Sequence, residues 1–201
     1  MLYNKAMTKP NFIVFDCFGV LYVDAFNRFL NTHIKILPES ISYYQELAKQ
    51  NDLGYLSDED FYAELETGSG VPATEIKKQF NDTNCLNTNL VPLIRELRQK
   101  HGYKIGMLSN VDRQFLQQFL DNHDIGDLFE YILTSSESVH SKPEREIFED
   151  LADRAEASFE SWYFTDDAQS NVDAARSYGI QSDLFTDTET LRKDLQKAGI
   201  L

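Results

Sequence analysis

The sequence predicts an α/β fold, with a three-layer α/β/α core around a parallel sheet and an inserted helical subdomain. Five short apolar runs recur along the chain, and from the second run onward helical patterns separate them. Strands that alternate with helices are typical of a parallel sheet covered on both faces. Only helical patterns occur between the first and second runs, over a stretch too long for a simple crossover. We therefore expect residues 11–21 and 90–201 to form the core and residues 22–89 the inserted subdomain.

The apolar runs and the helical patterns between them define the elements of the core. The predicted strands are Phe12–Phe15, Lys104–Leu108, Tyr131–Thr134, Trp162–Thr165 and Asp183–Thr186. The predicted helices, most of them marked by apolar residues at helical spacing, are Leu90–Lys100, Arg113–Leu120, Pro143–Leu151 and Ser170–Ala175. Pro143 suits the first turn of its helix, because the N–H that proline lacks has no partner there.

Four helices are predicted in the inserted subdomain: Ala25–Leu30, Ile41–Gln50, Asp58–Glu66 and Thr74–Phe80. Ser57 and Asp60, three residues apart, resemble a capping pair at the start of the third of these helices. The segment "TGSGVP", Thr67–Pro72, is predicted to be a turn between the third and fourth helices.

Composition and charge exclude several classes of protein. The chain has 201 residues, enough for one sizeable core, and no apolar run approaches the roughly 20 residues that span a bilayer. The N-terminus has no apolar stretch long enough for a signal peptide. The two cysteines, Cys17 and Cys85, are too few for a disulfide framework and match no zinc spacing. We therefore expect reduced thiols in a cytoplasmic protein, as a monomer or weak dimer. The net charge of −14 argues against a nucleic-acid or anionic-membrane partner, so a small anionic substrate would need a local positive site.

The candidate functional residues follow the predicted strands. Ligands of open parallel sheets bind at the carboxyl ends of the strands, so the residues just after each strand are expected to meet at one edge. These residues, in chain order, are Asp16, Ser109, Asn110, Lys142, Asp166 and Asp167, and Lys142 follows its strand by about seven residues.

Three carboxylates that crowd together repel one another, and they stay ionised when a cation lies among them. Because the predicted ligands are all oxygens, Mg²⁺ is the expected ion. Lys142 would add a second positive charge, and Ser109 could donate a hydrogen bond to an oxyanion. With these charges in place, Asp16 could attack phosphorus in line and form an aspartyl phosphate, which water would then release.

Four motifs in this order resemble those of the haloacid dehalogenase-like superfamily. They are "FDCFGVLY" around Asp16, "MLSN" around Ser109, "SKPEREIF" around Lys142 and "YFTDDAQSNVDAARSYGI" around the aspartate pair. The helical insertion after the first motif is similar to the type-one cap of that superfamily. The stretch "DLGYLSDEDFYAEL" also resembles a segment common in such caps.

The resemblance implies a Rossmann-like core whose first strand is central, beside the strands that carry the second and fourth motifs. It implies a nucleophilic role for Asp16 and stabilisation of charge by Lys142. It also implies phosphate binding by Ser109, with Asn110 beside it, and a Mg²⁺ site formed by Asp16, Asp166, Asp167 and the main-chain carbonyl of Phe18. The expected activity is hydrolysis of a small phosphorylated metabolite.

The sequence departs from most phosphatases of this superfamily at Phe18, where they carry a second aspartate that protonates the leaving oxygen. General acid–base help of this kind is typically worth about 10²–10⁴-fold in rate. Three interpretations remain: a phosphatase that acts on a good leaving group or borrows an acid from the cap, a metal-independent 2-haloacid dehalogenase, and a catalytically weak binding protein. We favour the phosphatase, because paired aspartates are costly without a cation, and we expect sugar phosphates first, because an anomeric oxygen leaves more easily than an ordinary alkoxide.

Overall fold

The computed structural model describes residues 9–23, 25–34, 38–52, 55–80 and 86–201. The chain divides into two compact units. The first, called the α/β unit, comprises Met1–Tyr22 and Leu86–Leu201, and the second, the helical unit, comprises Val23–Cys85. Among the described helices, none has both the length and the apolar character needed to cross a membrane.

The helical unit contains four helices in its described residues. They are α1 (Ala25–His33), α2 (Pro38–Asp52), α3 (Asp58–Ser69) and α4 (Ala73–Phe80). Ser57 caps α3 as predicted, since its hydroxyl accepts the Asp60 amide at 3.1 Å. The turn predicted over Thr67–Pro72 is shorter than expected, because α3 continues to Ser69 and ends at Gly70 in the left-handed conformation.

All five predicted strands of the α/β unit form, and they make a fully parallel sheet. The strands are β1 (Phe12–Phe15), β2 (Lys104–Ser109), β3 (Tyr131–Thr134), β4 (Trp162–Asp166) and β5 (Gln181–Leu184). Their order is β3-β2-β1-β4-β5, so β1 is central and pairs with both β2 and β4. The predicted α/β fold class and the central position of the first strand are confirmed.

Helices cover this sheet from both sides. They are α5 (Leu90–Gln99), α6 (Arg113–Asn122), α7 (Ser135–Ser138), α8 (Arg145–Ala155), α9 (Gln169–Ser177) and α10 (Thr188–Lys197). Successive side chains of a strand point to opposite faces, so Ile13 and Phe15 enter one apolar cluster while Phe12 and Val14 enter another. Every residue of β1 is completely buried. This explains why the first strand is uniformly apolar up to the aspartate that ends it.

The last strand begins and ends two residues earlier than the predicted Asp183–Thr186. The prediction was based on the apolar pair Leu184 and Phe185. The strand instead consists of three polar residues followed by Leu184. There the Ser182 carbonyl accepts from Arg176, and the Ser182 hydroxyl donates to Val172 of α9. An edge strand held by polar contacts to its neighbouring helix carries little apolar signal.

The helix predicted from Pro143 begins instead at Arg145, with Glu144 as its N-cap. Pro143 therefore lies before the first turn, in the loop that carries Lys142. Both main-chain polar groups of Lys142 are bonded to the side chain of Asn110 rather than to the helix, at 2.8 Å each. The Glu144 amide donates to the Ser141 carbonyl at 2.8 Å, so the segment forms a turn and the helix starts after it.

Candidate active site

A buried lysine bridges two of the predicted carboxylates at the carboxyl edge of the sheet. The Lys142 Nζ atom lies 2.8 Å from Asp16 Oδ1 and 2.6 Å from Asp166 Oδ2. Asp16 follows β1, Lys142 lies in the loop before α8, and Asp166 is the last residue of β4. All three side chains are almost inaccessible to solvent. Residues far apart in the chain thus form one ion-paired cluster.

The main chain of Lys142 is held by a residue that follows β2. Asn110 accepts the Lys142 amide through Oδ1 and donates to the Lys142 carbonyl through Nδ2, both at 2.8 Å. Its amide therefore positions the lysine, a role that the sequence did not suggest. The expected role of Asn110 in substrate binding stays a prediction.

The Asp166 carboxylate is fixed on several sides. Its Oδ1 accepts from the Ala168 amide at 2.8 Å and from Asn171 Nδ2 at 3.0 Å, and its Oδ2 accepts from Lys142 and from Asn171. Asn171 is itself buried in the first turn of α9. Sequence reasoning missed this residue, although a polar residue buried on the inner face of a helix is a usable signal.

The two oxygens of Asp16 have different surroundings. Oδ1 accepts from the Cys17 amide at 2.7 Å and from Lys142, whereas Oδ2 accepts no hydrogen bond from the residues that the structure describes. The Asp16 amide donates to the Thr165 carbonyl on β4 at 3.0 Å, which fixes the turn after β1. One oxygen of Asp16 is thus anchored by two donors, and the other has no donor among the described residues.

Asp167 completes a group of carboxylates that could hold a metal ion. Asp16, Asp166 and Asp167 each offer one oxygen, and these oxygens all lie within 4.8 Å of one another. An all-oxygen set of carboxylates fits Mg²⁺, which binds proteins through one or two carboxylates and keeps its remaining positions for water and phosphate. The donors present therefore fit the ion that the sequence predicts.

Gly19 makes room for this carboxylate group, and sequence reasoning assigned it no role. Its φ angle of 77° is in the left-handed region, and a Cβ atom added there would lie 1.9 Å from Asp167 Oδ2. Any larger residue would strain the backbone and displace the Asp167 side chain. The signal available in the sequence was a single glycine in the turn after the first strand.

The charges of the cluster explain its pKa values. Burial lowers the pKa of Lys142, but the charges and hydrogen bonds of Asp16 and Asp166 together raise it by more. The net shift is upward, so the ammonium is retained. Burial raises the pKa of Asp16, and Lys142 opposes that effect. Burial, followed by the charges of Asp16 and Asp166, raises the pKa of the more exposed Asp167 to about 6. Three carboxylates facing one ammonium leave a negative excess that a divalent cation would neutralise.

A buried hydroxyl without a partner ends β2. Ser109 is 1% exposed, and its Oγ has no hydrogen-bond partner among the described residues. Buried polar groups are normally paired, so an unpaired hydroxyl at a candidate site is a ready donor for a bound oxyanion. This observation fits the phosphate-binding role expected of Ser109.

Two other residues of the first motif differ in accessibility. Cys17 is free and buried, and burial raises the pKa of its thiol, so it remains a protonated packing residue. Cys85 lies outside the described residues. Phe18 is 36% exposed, and its ring contacts Tyr22 and Phe115. Its side chain can supply no proton, and the binding of a metal by its main-chain carbonyl stays a prediction.

We expect Asp167→Asn to stabilise the metal-free protein at high pH. The pKa of about 6 in the folded protein exceeds that of the unfolded chain, so stability is lost as pH rises from about 4 through 6. After discounting for solvent screening of this exposed side chain, the gain at pH 8 is about 1 kcal/mol. Thermal denaturation in chelator should show a higher Tm at pH 8 than for the wild type, and a smaller difference at pH 5.

The matched control for this prediction is Asp153→Asn, on the exposed side of α8. Its effect on Tm at the two pH values is the background against which the change in Asp167→Asn is judged. Added Mg²⁺ should raise the Tm of the wild type more than that of Asp167→Asn. Equal metal responses of these two proteins would contradict the assignment of Asp167 to the metal group.

Comparison with known proteins places this geometry in a family. The family model of haloacid dehalogenase-like hydrolases matches residues 11–179. A sesquiterpene phosphatase of Aspergillus oryzae is 28% identical over 178 residues, covering 87% of this chain and 89% of the relative.

Two solved structures share the fold at lower sequence identity. A HAD-superfamily hydrolase from Ehrlichia chaffeensis aligns with a TM-score of 0.62 and 17% identity, covering 96% of this chain and 99% of its own. A HAD family enzyme from Bacteroides thetaiotaomicron, crystallised with magnesium and inorganic phosphate, aligns with a TM-score of 0.53 and 20% identity. The alignment covers 90% of this chain and 98% of the Bacteroides chain. With its five-stranded parallel sheet and the family match over most of its length, the chain belongs to the haloacid dehalogenase-like hydrolases.

Proposed function

We propose that the protein is a Mg²⁺-dependent phosphatase that hydrolyses a small phosphorylated metabolite through an aspartyl phosphate on Asp16. The observation that carries this proposal is the buried Lys142 held between Asp16 and Asp166. The family match and the sesquiterpene phosphatase relative support a phosphoric monoester hydrolase. The magnesium and phosphate bound by the Bacteroides enzyme support the choice of ion.

In the first step, Asp16 Oδ2 would attack phosphorus while the bond from phosphorus to the leaving oxygen breaks. The leaving oxygen takes the electron pair of that bond. Lys142 anchors Asp16 through Oδ1, and Ser109, whose Oγ has no partner among the described residues, would donate to a phosphoryl oxygen. Mg²⁺, held by Asp16, Asp166, Asp167 and the Phe18 carbonyl, would neutralise the charge of the phosphoryl oxygens.

In the second step, water attacks the phosphorus of the aspartyl phosphate, and the bond between phosphorus and Asp16 breaks. Inorganic phosphate leaves, and Asp16 returns to its carboxylate form. Asp166 holds the Lys142 ammonium in place through both steps. Because the site mainly positions groups and compensates charge, its preformed hydrogen bonds supply most of what such a transfer needs.

Phe18 in place of an acid favours a substrate whose leaving oxygen needs little protonation. The sequence points first to sugar 1-phosphates, since an anomeric oxygen is a good leaving group. The relative from Aspergillus adds a phosphate of a sesquiterpene alcohol as a second candidate substrate. A 2-haloacid dehalogenase is the alternative reaction, and the carboxylates gathered around Asp167 argue against it, because such a group is costly without a cation.

The proposal is tested by phosphate release from 4-nitrophenyl phosphate by protein first treated with a chelator. We expect no release without metal and saturable release as Mg²⁺ is added. Halide release from a 2-haloacid without metal would instead identify a dehalogenase. A folded protein with neither activity across a panel of phosphorylated metabolites would be a binding protein. A cytoplasmic location and the absence of nucleic-acid partners stay predictions from composition and charge. A monomeric or weakly dimeric state stays an expectation.

A further inference from the structure

An exposed aromatic surface lies within the α/β unit. Phe18 contacts Tyr22 at 4.7 Å between ring centroids and stacks on Phe115 at 5.5 Å, with an interplanar angle of 25°. We call these three residues the aromatic ledge. Phe18 is 36% exposed and Phe115 is 41% exposed, although both are large apolar side chains. Most such side chains in the described residues are buried.

Residues of the α/β unit contact the ledge and hold it in place. Tyr22 packs edge-to-face on Phe119, which is buried in the core of the α/β unit, at 5.2 Å. The Phe115 amide donates to Asp112, the residue that caps α6, at 3.1 Å. The Phe18 main chain forms a β-bridge with Tyr22, so main-chain contacts hold the backbone of both phenylalanines.

The ledge belongs to the carboxyl edge of the sheet, as does the candidate active site. Phe18 is two residues beyond Asp16, and the next residue, Gly19, approaches Asp167 so closely that a Cβ atom would overlap it. Phe115 lies in the first turn of α6, which follows β2 and Ser109. The apolar surface and the phosphate-binding groups therefore come from the same loops.

We propose that the aromatic ledge binds the hydrocarbon part of the leaving group, so that the substrate is a phosphate monoester of an apolar alcohol; this rests on the proposed phosphatase function. The phenyl rings of Phe18 and Phe115 offer no hydrogen-bond partner. A sugar ring stacked on them could bury its C–H groups, but it would find no partner for its hydroxyl groups in these two rings. An apolar chain would instead remove both its own surface and the two rings from water.

The proposal is tested with n-alkylphosphonates, from methyl to octyl, which carry the phosphate-like group but are not hydrolysed. Their affinities are measured by calorimetry with Mg²⁺ present. A fully buried methylene is worth about fourfold in affinity, and a ledge covers only one side of the chain, so we expect about twofold per methylene. From methyl to octyl the wild-type affinity should then rise roughly a hundredfold.

Phe115→Ala should lose about tenfold in affinity for octylphosphonate and nothing for methylphosphonate, because only the longer chain reaches the ring. Phe115→Leu, which keeps most of the apolar area, should retain most of the octyl affinity. The matched control is Phe159→Ala, since Phe159 is a partly exposed phenylalanine just before β4, at the opposite edge of the sheet. It should not alter the dependence on chain length.

Three outcomes overturn the proposal. The first is an affinity that does not depend on chain length, and the second is equal weakening of methyl- and octylphosphonate binding by Phe115→Ala. In the third, Phe115→Ala converts a dimer to a monomer in sedimentation without changing octyl affinity, which would make the ledge a contact between copies. If any of these outcomes is found while 4-nitrophenyl phosphate is still hydrolysed, the ledge proposal fails and the phosphatase survives. If no ester is hydrolysed and no phosphonate binds, the proposed function itself fails.

Discussion

Asp16→Asn is expected to reduce phosphate release by about 10⁴-fold or more, because an amide cannot act as the nucleophile that forms the covalent intermediate. The substitution keeps the shape of the side chain, and the amide oxygen can still accept from Cys17 and Lys142 as Asp16 Oδ1 does. The fold should therefore persist. Release of 4-nitrophenol under saturating Mg²⁺ is the measurement, with circular dichroism to verify folding.

Two further observations sharpen this prediction. After acid quenching, wild-type protein mixed with substrate should carry an acyl phosphate, and Asp16→Asn should carry none. Asp173→Asn, an exposed aspartate on α9, serves as the matched control and should keep wild-type rates. Activity of Asp16→Asn above one-hundredth of the wild type would contradict the assignment of Asp16, because removal of a nucleophile leaves only the help of binding and polarisation.

Lys142→Met is expected to destabilise the fold more than any other substitution at the site. It removes the ammonium from between Asp16 and Asp166 and leaves two buried carboxylates against each other. Removing one partner of a buried ion pair costs about 3–5 kcal/mol in the free energy of unfolding. Urea denaturation at pH 8 in the absence of metal measures the effect. Activity should be lost as well, since the lysine anchors Asp16.

The pH dependence identifies the cause of that instability. Without the lysine that lowers it, the pKa of Asp16 should rise still further, so protonation at pH 5 should return part of the lost stability. The double variant Asp16→Asn/Lys142→Met removes a buried charge of each sign and should be more stable than Lys142→Met alone. Lys100→Met, which breaks an exposed pair with Glu96, should change stability by less than about 0.5 kcal/mol. Wild-type stability of Lys142→Met would exclude a buried bridging ammonium.

Much of the fold could be predicted because the pattern of apolar residues in most elements reflects how they are buried. Strands β1 and β3 have the predicted bounds, and β2 and β4 extend by one residue, to Ser109 and Asp166. These four strands are apolar because helices cover both faces of the sheet. The edge strand β5 was displaced by two residues, since polar contacts with α9 hold it and leave no apolar pattern.

The candidate site was predictable in its charged residues and not in its supporting ones. Asp16, Lys142 and Asp166 end or follow strands whose carboxyl ends meet at one edge, so chain topology alone brings them near. The contact between Asn110 and Lys142 spans 32 residues, and no local pattern records it. The crowding of Gly19 against Asp167 is equally invisible in the sequence, because it depends on how two loops pack.

The sequence by itself determined the fold class, the strand order around β1 and the kinds of charge that meet at the carboxyl edge. The fold class follows from periodicity, and the meeting of the charges follows from the rule that parallel strands end together. The central place of β1 is what the resemblance of the four motifs to the superfamily implies. Only the tertiary structure decided which oxygen of Asp16 is anchored, which amide holds Lys142 and where the exposed rings of Phe18 and Phe115 meet. Such contacts depend on distances between loops far apart in the chain, and sequence spacing along one element carries no information about them.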